Sequence, residues 1–526
     1  MRTNHFLLFV LTWFISVTVY AQYSSVVAAK DVNGNTYQGT EGSYETGVSQ
    51  VGISERAGLA AIVAVTKEES SFSSGKSSVT LFDMNRQKEK WHHEVKGKVS
   101  DAIPTDFGVV TIVGGKMQLL DLSSGIFKWD MNIRPVYVAD SLGLVLGYKG
   151  NSSSKLLCCD LRDGHVRWQG DVSIENSYGW DELLELPDGR LLVVADNIYV
   201  IDLLSGEIQK HEASTGYKQV GRIVADILGN VIAGAALGVM SYALFPRSGI
   251  RVAVGMPYYE PSVINHLSSN ILCQDSSYYI ADRYCLRAFN SKMEPSWEYK
   301  FPTEKSSKSL LFGNYGTVYM LNMGFGVRGS GETVKNSKPF ISSFNSLTGE
   351  PFFFTPLSMK KDAINDAMIT PWEAWYLFDD GLVFQSDIND SIVSVADWDW
   401  QKKGKIREAV HDTIFVMDEK THVLSPVWCN WKELPMLLEN GSVVVVDKNL
   451  KEVAAYPRDN VYFELFSTDR YRFVSRQYDK TSYDVWVLGL GDDKRQVHLT
   501  KKVNQVWMHG NHVYYTTNRA FGYFSF

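Results

Sequence analysis

A short phrase recurs along this chain at a spacing that few architectures accommodate. Asp83 begins DMNRQKEKW, Asp121 begins DLSSGIFKW and Asp160 begins DLRDGHVRW, so Trp91, Trp129 and Trp168 each follow their Asp by eight residues. Asp202 begins DLLSGEIQK, with Gly206 at the offset of Gly125 and Gly164 but no Trp. Asn345 begins NSLTGEPFF, again with Gly349 four residues on. Asn290 begins NSKMEPSW, a worn copy ending at Trp297, and Asp447 begins the more worn DKNLKEVAA. From Asp83 to Asp202 the steps are 38, 39 and 42 residues. That period is too long for one hairpin and fits a unit of four short strands.

The residues around each phrase give the physical reason. Arg190 to Asp196 (RLLVVAD) reads as an apolar strand, Asn197 as a turn and Ile198 to Leu204 (IYVIDLL) as a second strand. An Asp or Asn side chain can accept hydrogen bonds from the backbone of the turn it opens. Glycine supplies the positive φ that a bulged hairpin requires. The Trp then falls in the outermost strand, where its ring can pack between adjacent blades.

This succession of strand, Asp, turn, Gly, spacer and Trp resembles the tryptophan-docking repeat of the PQQ-like β-propellers. That group includes quinoprotein alcohol dehydrogenases and the propeller lipoprotein of the outer-membrane β-barrel assembly machinery. The resemblance covers residues 75–355 well and the C-terminal third poorly. The usual Ala before the Asp survives only as Ala288, and the usual Thr-Gly pair only as Thr348-Gly349. It implies an all-β fold, a single β-propeller of about eight four-stranded blades with seven as the other count. Weaker turns stand near Asp397 and Leu488. The aromatic strand Asn518 to Phe526 is expected to pair with an early strand, such as Ser24 to Asp31, and close the ring, removing exposed edges.

The first residues predict export. Arg2 and His5 precede the apolar run Phe6 to Tyr20, and Val19-Tyr20-Ala21 places small residues for cleavage near Ala21. Residues 1–21 are thus read as a signal peptide and 22–526 as the propeller, periplasmic or extracellular. With 52 basic and 59 acidic residues the chain carries a net −7, against nucleic acid as partner. Five cysteines, an odd number, make no disulfide scaffold, though Cys273 and Cys285 could bridge neighbouring strands.

One segment breaks the pattern. From Asp202 to Asn290 the step is 88 residues, and the excess holds GRIVADILGNVIAGAALGVMSYALF, Gly221 to Phe245. It is read as a helical insertion at about 217–262, with Pro246 as a stop and a GxxxG spacing at Gly234 and Gly238. Three readings stay open: a helix packed on the propeller, a helix that dips into a membrane or binds a partner through 219–249, and a true span. The contact residues would be Ile223, Ile227, Val231, Leu237, Met240 and Leu244. Asp226 and Asn230 are costly in lipid.

Candidate chemistry is sparse. Adjacent cysteines such as Cys158-Cys159 form a ring disulfide beside the quinone in several quinoprotein dehydrogenases, but here they sit where a strand is expected, pointing to opposite faces. His92 and His93 would also alternate. His509 and His512 could converge in a turn, two ligands without a third. Asp387, Asn389 and Asp390 offer oxygens suited to calcium, and Asp397-Trp398-Asp399-Trp400 mixes acids and aromatics as sugar sites do. No catalytic, cofactor or metal residue is assigned. The favoured reading is a non-catalytic exported propeller that binds an envelope or extracellular protein through its loops and 219–249. The alternatives are a quinoprotein-type oxidoreductase with PQQ and calcium at the propeller axis, and a carbohydrate-binding propeller.

Overall fold

The computed structural model describes residues 22–526 apart from 66–75, 150–154, 173–179, 214–216, 219–262, 266–268, 302–307, 329–332, 358–362, 390–392, 411–412, 428–431, 478–481 and the single positions 181, 196, 315, 336, 371 and 379. Strands dominate it; among the described residues one helical turn, Trp400–Lys403, and two 3-10 turns are the only helices.

Four antiparallel strands in chain order make each of the first four units, at residues 47–96, 99–131, 134–171 and 182–211. Four more units follow at 272–300, 309–356, 364–397 and 406–456. A ninth spans 461–499, and a tenth takes three strands from 505–525 and its fourth from Thr36–Ser43. Each unit shares an apolar core with the next. Leu81 meets Val109 between the first and second, Leu377 meets Met436 between the seventh and eighth, and Val487 meets Val513 between the ninth and tenth. Phe521 of the tenth packs with Phe82 of the first, which closes the ring. The protein is a β-propeller, as expected.

A blade held between two neighbours explains why its middle strands are apolar throughout. Gly108–Val113, Leu191–Val194 and Ala374–Phe378 are buried at every position, on both faces. Only the outer strands alternate, as in Lys88–Lys96 with buried Trp91 and Val95 between exposed lysines.

Two expectations need correction. Ten four-stranded units, rather than about eight, are traced among the described residues. The ninth and tenth blades lack the Asp-Gly-Trp phrase, and only the weaker turn near Leu488 and the aromatic strand at 518–526 pointed to them. The C-terminal strand Ala520–Ser525 pairs with Thr36–Ser43, and not with Ser24 to Asp31. The strand Gln22–Asp31 instead lies between Thr36–Ser43 and Gln496–Leu499 of the ninth blade and fuses the ninth and tenth blades. With the hairpin of Ile414–Met417 and Leu424–Val427 paired to Val461–Ser467, they make one eleven-stranded sheet.

Candidate functional site

The repeat residues form a chain of contacts from blade to blade. In each turn the first residue caps the backbone: Asp121 Oδ1 accepts from the Ser124 amide at 2.9 Å, Asp202 Oδ1 from Ser205 at 2.8 Å and Asn345 Oδ1 from Leu347 at 2.9 Å. Asp160 Oδ1 accepts from the Arg162 amide, and Asp83 and Asn290 cap their turns likewise. The side chains of Ser123 and Ser124 also hold the Asp121 carboxyl well below its ordinary range. Glycines 125, 164, 206 and 349 sit at φ between 71° and 77°.

Each of these glycines meets the tryptophan of the preceding blade. A Cβ on Gly125 would stand 2.7 Å from the Trp91 ring, one on Gly164 2.8 Å from Trp129, one on Gly206 2.5 Å from Trp168 and one on Gly349 2.4 Å from Trp297. The indole also reaches the turn carbonyl: Trp91 Nε1 donates to Leu122 O at 3.2 Å, Trp168 to Leu203 O at 2.8 Å and Trp297 to Ser346 O at 2.9 Å. Trp129 stacks without closing that bond. These residues are a fastening between blades, with each indole face spent on the next blade's turn rather than offered to a ligand.

The other candidates resolve into structure. Cys158 and Cys159 lie in Lys155–Asp160, the third strand of the third blade, facing opposite inter-blade cores. Burial pushes both thiols up to about 12. In a propeller the first strand lines the axis, so this pair does not fit the quinone site that the resemblance implied, and no chemistry is derived through that cofactor. Cys273, exposed, and Cys285, buried, are free thiols on strands separated by Ser277–Ala281, so the conjectured bridge is absent. Among the described residues no group of three or more His, Cys, Asp or Glu is placed to hold a metal. Asn389 accepts from Tyr319 Oη at 2.8 Å and closes a turn on Asp387. Trp398 is buried between the seventh and eighth blades, with Nε1 bonded to Gly404 O at 2.9 Å and Lys403 over its ring. His92 Nδ1 meets Thr80 Oγ1 at 2.9 Å.

What distinguishes one face is a small sheet outside the ring. Tyr217–Lys218 and Val263–Asn265, the two ends of the insertion, pair antiparallel with each other. Val263–Asn265 also pairs with Phe325–Arg328, which pairs with Thr333–Lys335, a hairpin between the second and third strands of the sixth blade. The topology dictates this meeting. In an up-and-down blade, links between blades and connections from second to third strand emerge at the same end. The hairpin root is fixed by buried Asn322, whose Nδ2 donates to Ser337 Oγ at 2.9 Å and Lys338 O at 2.8 Å. The insertion residues Ile223, Ile227, Val231, Leu237, Met240 and Leu244 lie outside the described residues, as do residues 1–21.

On the same face the ninth blade carries a polar network that the sequence did not reveal. Buried Asp484 accepts from Tyr462 Oη at 2.8 Å, Arg476 at 3.1 Å, His498 Nε2 at 2.7 Å and Lys502 Nζ. Burial alone raises such a carboxyl, but the bonds from His498 and Lys502 outweigh it and hold Asp484 well below its ordinary range. The hairpin of Ile414–Met417 and Leu424–Val427 wedges beside this network, with Phe415 and Leu424 packed on Tyr462 and Trp486 and Ile414 facing the eighth blade.

One comparison, with a family model, agrees with the repeat. Residues 26–247 match the PQQ-type family model described as outer membrane protein assembly factor BamB. The crystal structure of BamB from Moraxella catarrhalis is similar over 91% of this chain and 96% of that one, at 10% identity and a TM-score of 0.33. No curated protein matches the chain. The PQQ-like propeller repeat is therefore shown over the matched residues.

Proposed function

We propose that this chain, whose residues 26–247 carry the PQQ-like propeller repeat, is a non-catalytic scaffold that binds an envelope protein through the face bearing the small outer sheet. The observation that carries the reading is the pairing of the two ends of the insertion with each other and with the sixth-blade hairpin. A scaffold that presents a segment to a partner needs that segment rooted on a rigid part. Here 44 residues, 219–262, leave and return at one place on one face. That geometry disfavours a single membrane crossing, which would deliver the chain to the far side. The description of the matching family as an outer membrane assembly factor supports a protein partner in the envelope, and the apolar run at Phe6 to Tyr20 supports export.

Affinity capture from native envelopes tests this, comparing the full chain with a variant lacking Gly221 to Phe245. The paired strands at 217–218 and 263–265 remain in that variant, so its circular dichroism should stay β-type. A partner held by the full chain and lost by the folded variant is the expected result. Equal capture by both would sink the role given to the insertion, and unfolding of the variant would make the segment part of the core.

A further inference from the structure

The ring closes at a junction built unlike those with an indole on a glycine. Gln87, at φ 53°, stands in the first-blade turn where glycine stands in others. Tenth-blade side chains grip that turn: Tyr514 Oη donates to Met84 O at 2.9 Å, His509 Nε2 lies 2.8 Å from Asn85 Oδ1 and His512 Nε2 lies 2.7 Å from Gln87 Nε2. The His509–His512 turn, read from the sequence as a weak metal site, belongs to this seam.

Outward from the turn, three ionisable side chains from three segments come together. Tyr23 comes from Gln22–Asp31, Tyr44 directly follows Thr36–Ser43, and Glu89 comes from Lys88–Lys96. Both tyrosine hydroxyls and both carboxyl oxygens of Glu89 are shut off from water; Tyr23 lies against Tyr44 and Glu89, and Tyr44 against Thr80, short of ordinary hydrogen-bond geometry. Tyr44 is 7% exposed, and Tyr23 has its ring 6.2 Å from Phe82 in the seam core. The other groups nearby are Thr80 and His92, bonded to each other, with His93 and Glu94 further along the strand. Burial keeps His92 neutral to lower pH than usual, so no cation compensates Glu89 in this cluster.

A carboxylate offers only acceptors, whereas a neutral carboxyl adds a donor. With the proton on, Glu89 adds a donor of its own to the two hydroxyls. With it off, the hydroxyls can still donate to it, as Tyr23 is placed to do, but a charge is left in a shielded site, and that burial cost outweighs the bond. We infer that Tyr23, Tyr44 and Glu89 form a proton-dependent clasp, sealing the Gln22 end of the hairpin against the first blade while Glu89 is protonated and loosening it on ionisation. Burial raises the Glu89 carboxyl above its ordinary value. The clasp's contribution is therefore fully present below the unfolded value and is lost as pH rises through the folded one.

Hydrogen exchange of the full chain at pH 5 and pH 8, corrected for intrinsic rates, tests the clasp on amides of residues 22–27 and 41–45. Protection there should fall several-fold at pH 8, while Leu144–Tyr148 in the third blade keeps its protection. Glu89→Gln, which fixes the neutral shape, should hold the protection at pH 8. Tyr44→Phe, which removes a donor and leaves the charge, should retain the pH 8 loss. Protection independent of pH overturns the clasp, and so does a loss that Glu89→Gln shares or one that extends to the third blade. If Glu89→Gln does not fold, the wild-type response and its confinement to the hairpin still decide.

Discussion

At the scale of the residue, legibility follows from which part of the turn a side chain must satisfy. The blade fastening needs a positive φ and room for an indole, and only glycine gives both, so Gly125, Gly164, Gly206 and Gly349 were readable. Where no tryptophan presses on the turn, other residues take the same φ: Met293 at 66°, His422 at 54° and Leu450 at 61°. Those turns keep the geometry and lose the signature, which is why the Asp447 copy looked worn and the Asp418 turn was missed. Gly206→Ala should cost about 2 kcal/mol in chemical denaturation, combining the left-handed penalty with a Cβ 2.5 Å from Trp168. Pairing it with Trp168→Ala should recover part of that loss in a double-mutant cycle, and strict additivity would refute the docking account. Asp101 gives a pH prediction. Burial, partly offset by the Gln50 amide, moves its carboxyl up to about 6. Stability from this site is present at low pH and lost as pH rises through about 6. Asp101→Asn should raise the melting temperature at pH 8 and leave it nearly unchanged at pH 4.

At the scale of the element, apolar runs announced the middle strands of the blades, because burial on both faces leaves short continuous runs, bounded by turn residues and rich in β-branched side chains, too short for helices. The strands of the outer sheet and the 414–427 hairpin were not legible. Their partners come from other blades, so their pairing depends on where the ring brings the chain back, which no local pattern encodes. The Asp484 network was hidden for the same reason: Tyr462, Arg476, Asp484 and His498 stand on the four separate strands of one blade, Lys502 follows in the link, and they share no spacing. Asp484 is held below its ordinary range by its donors, so its contribution is present above the unfolded value near pH 4 and lost as pH falls further. Asp484→Asn removes the buried carboxylate charge that Arg476, His498 and Lys502 share. It should destabilise by about 3 kcal/mol at pH 7, with a smaller difference from wild type at pH 3. A denaturation series across that range checks it, and a difference constant with pH would show the carboxylate's charge to be irrelevant.

At the scale of the whole molecule, the propeller was legible from a period, but the number of blades was not, since counting required every blade to keep its phrase. Four-strand units with quite different surface residues still stack, because each needs only two apolar faces. What a ring cannot do without is its closing ladder. Here that ladder is Gly39 to Ser43 against Ala520 to Phe524. At Gly39 a side chain has no space: a Cβ would stand 2.6 Å from Tyr523 O and 2.8 Å from Ala28 Cβ. Gly39→Val should therefore part Thr36–Ser43 from Ala520–Ser525 and leave the latter as an open edge, which invites pairing with other chains. Size-exclusion chromatography with light scattering should show more oligomer than in the parent protein, and the melting transition should fall markedly. Gly34, at φ 86° in the hairpin tip with nothing within 4 Å, is the matched control. Gly34→Ala carries only the backbone strain of about 1 kcal/mol and should leave the oligomeric state unchanged. If the two variants behave alike, closure does not depend on this ladder, and the apolar seam of Phe82 with Tyr514 and Phe521 holds the ring without it.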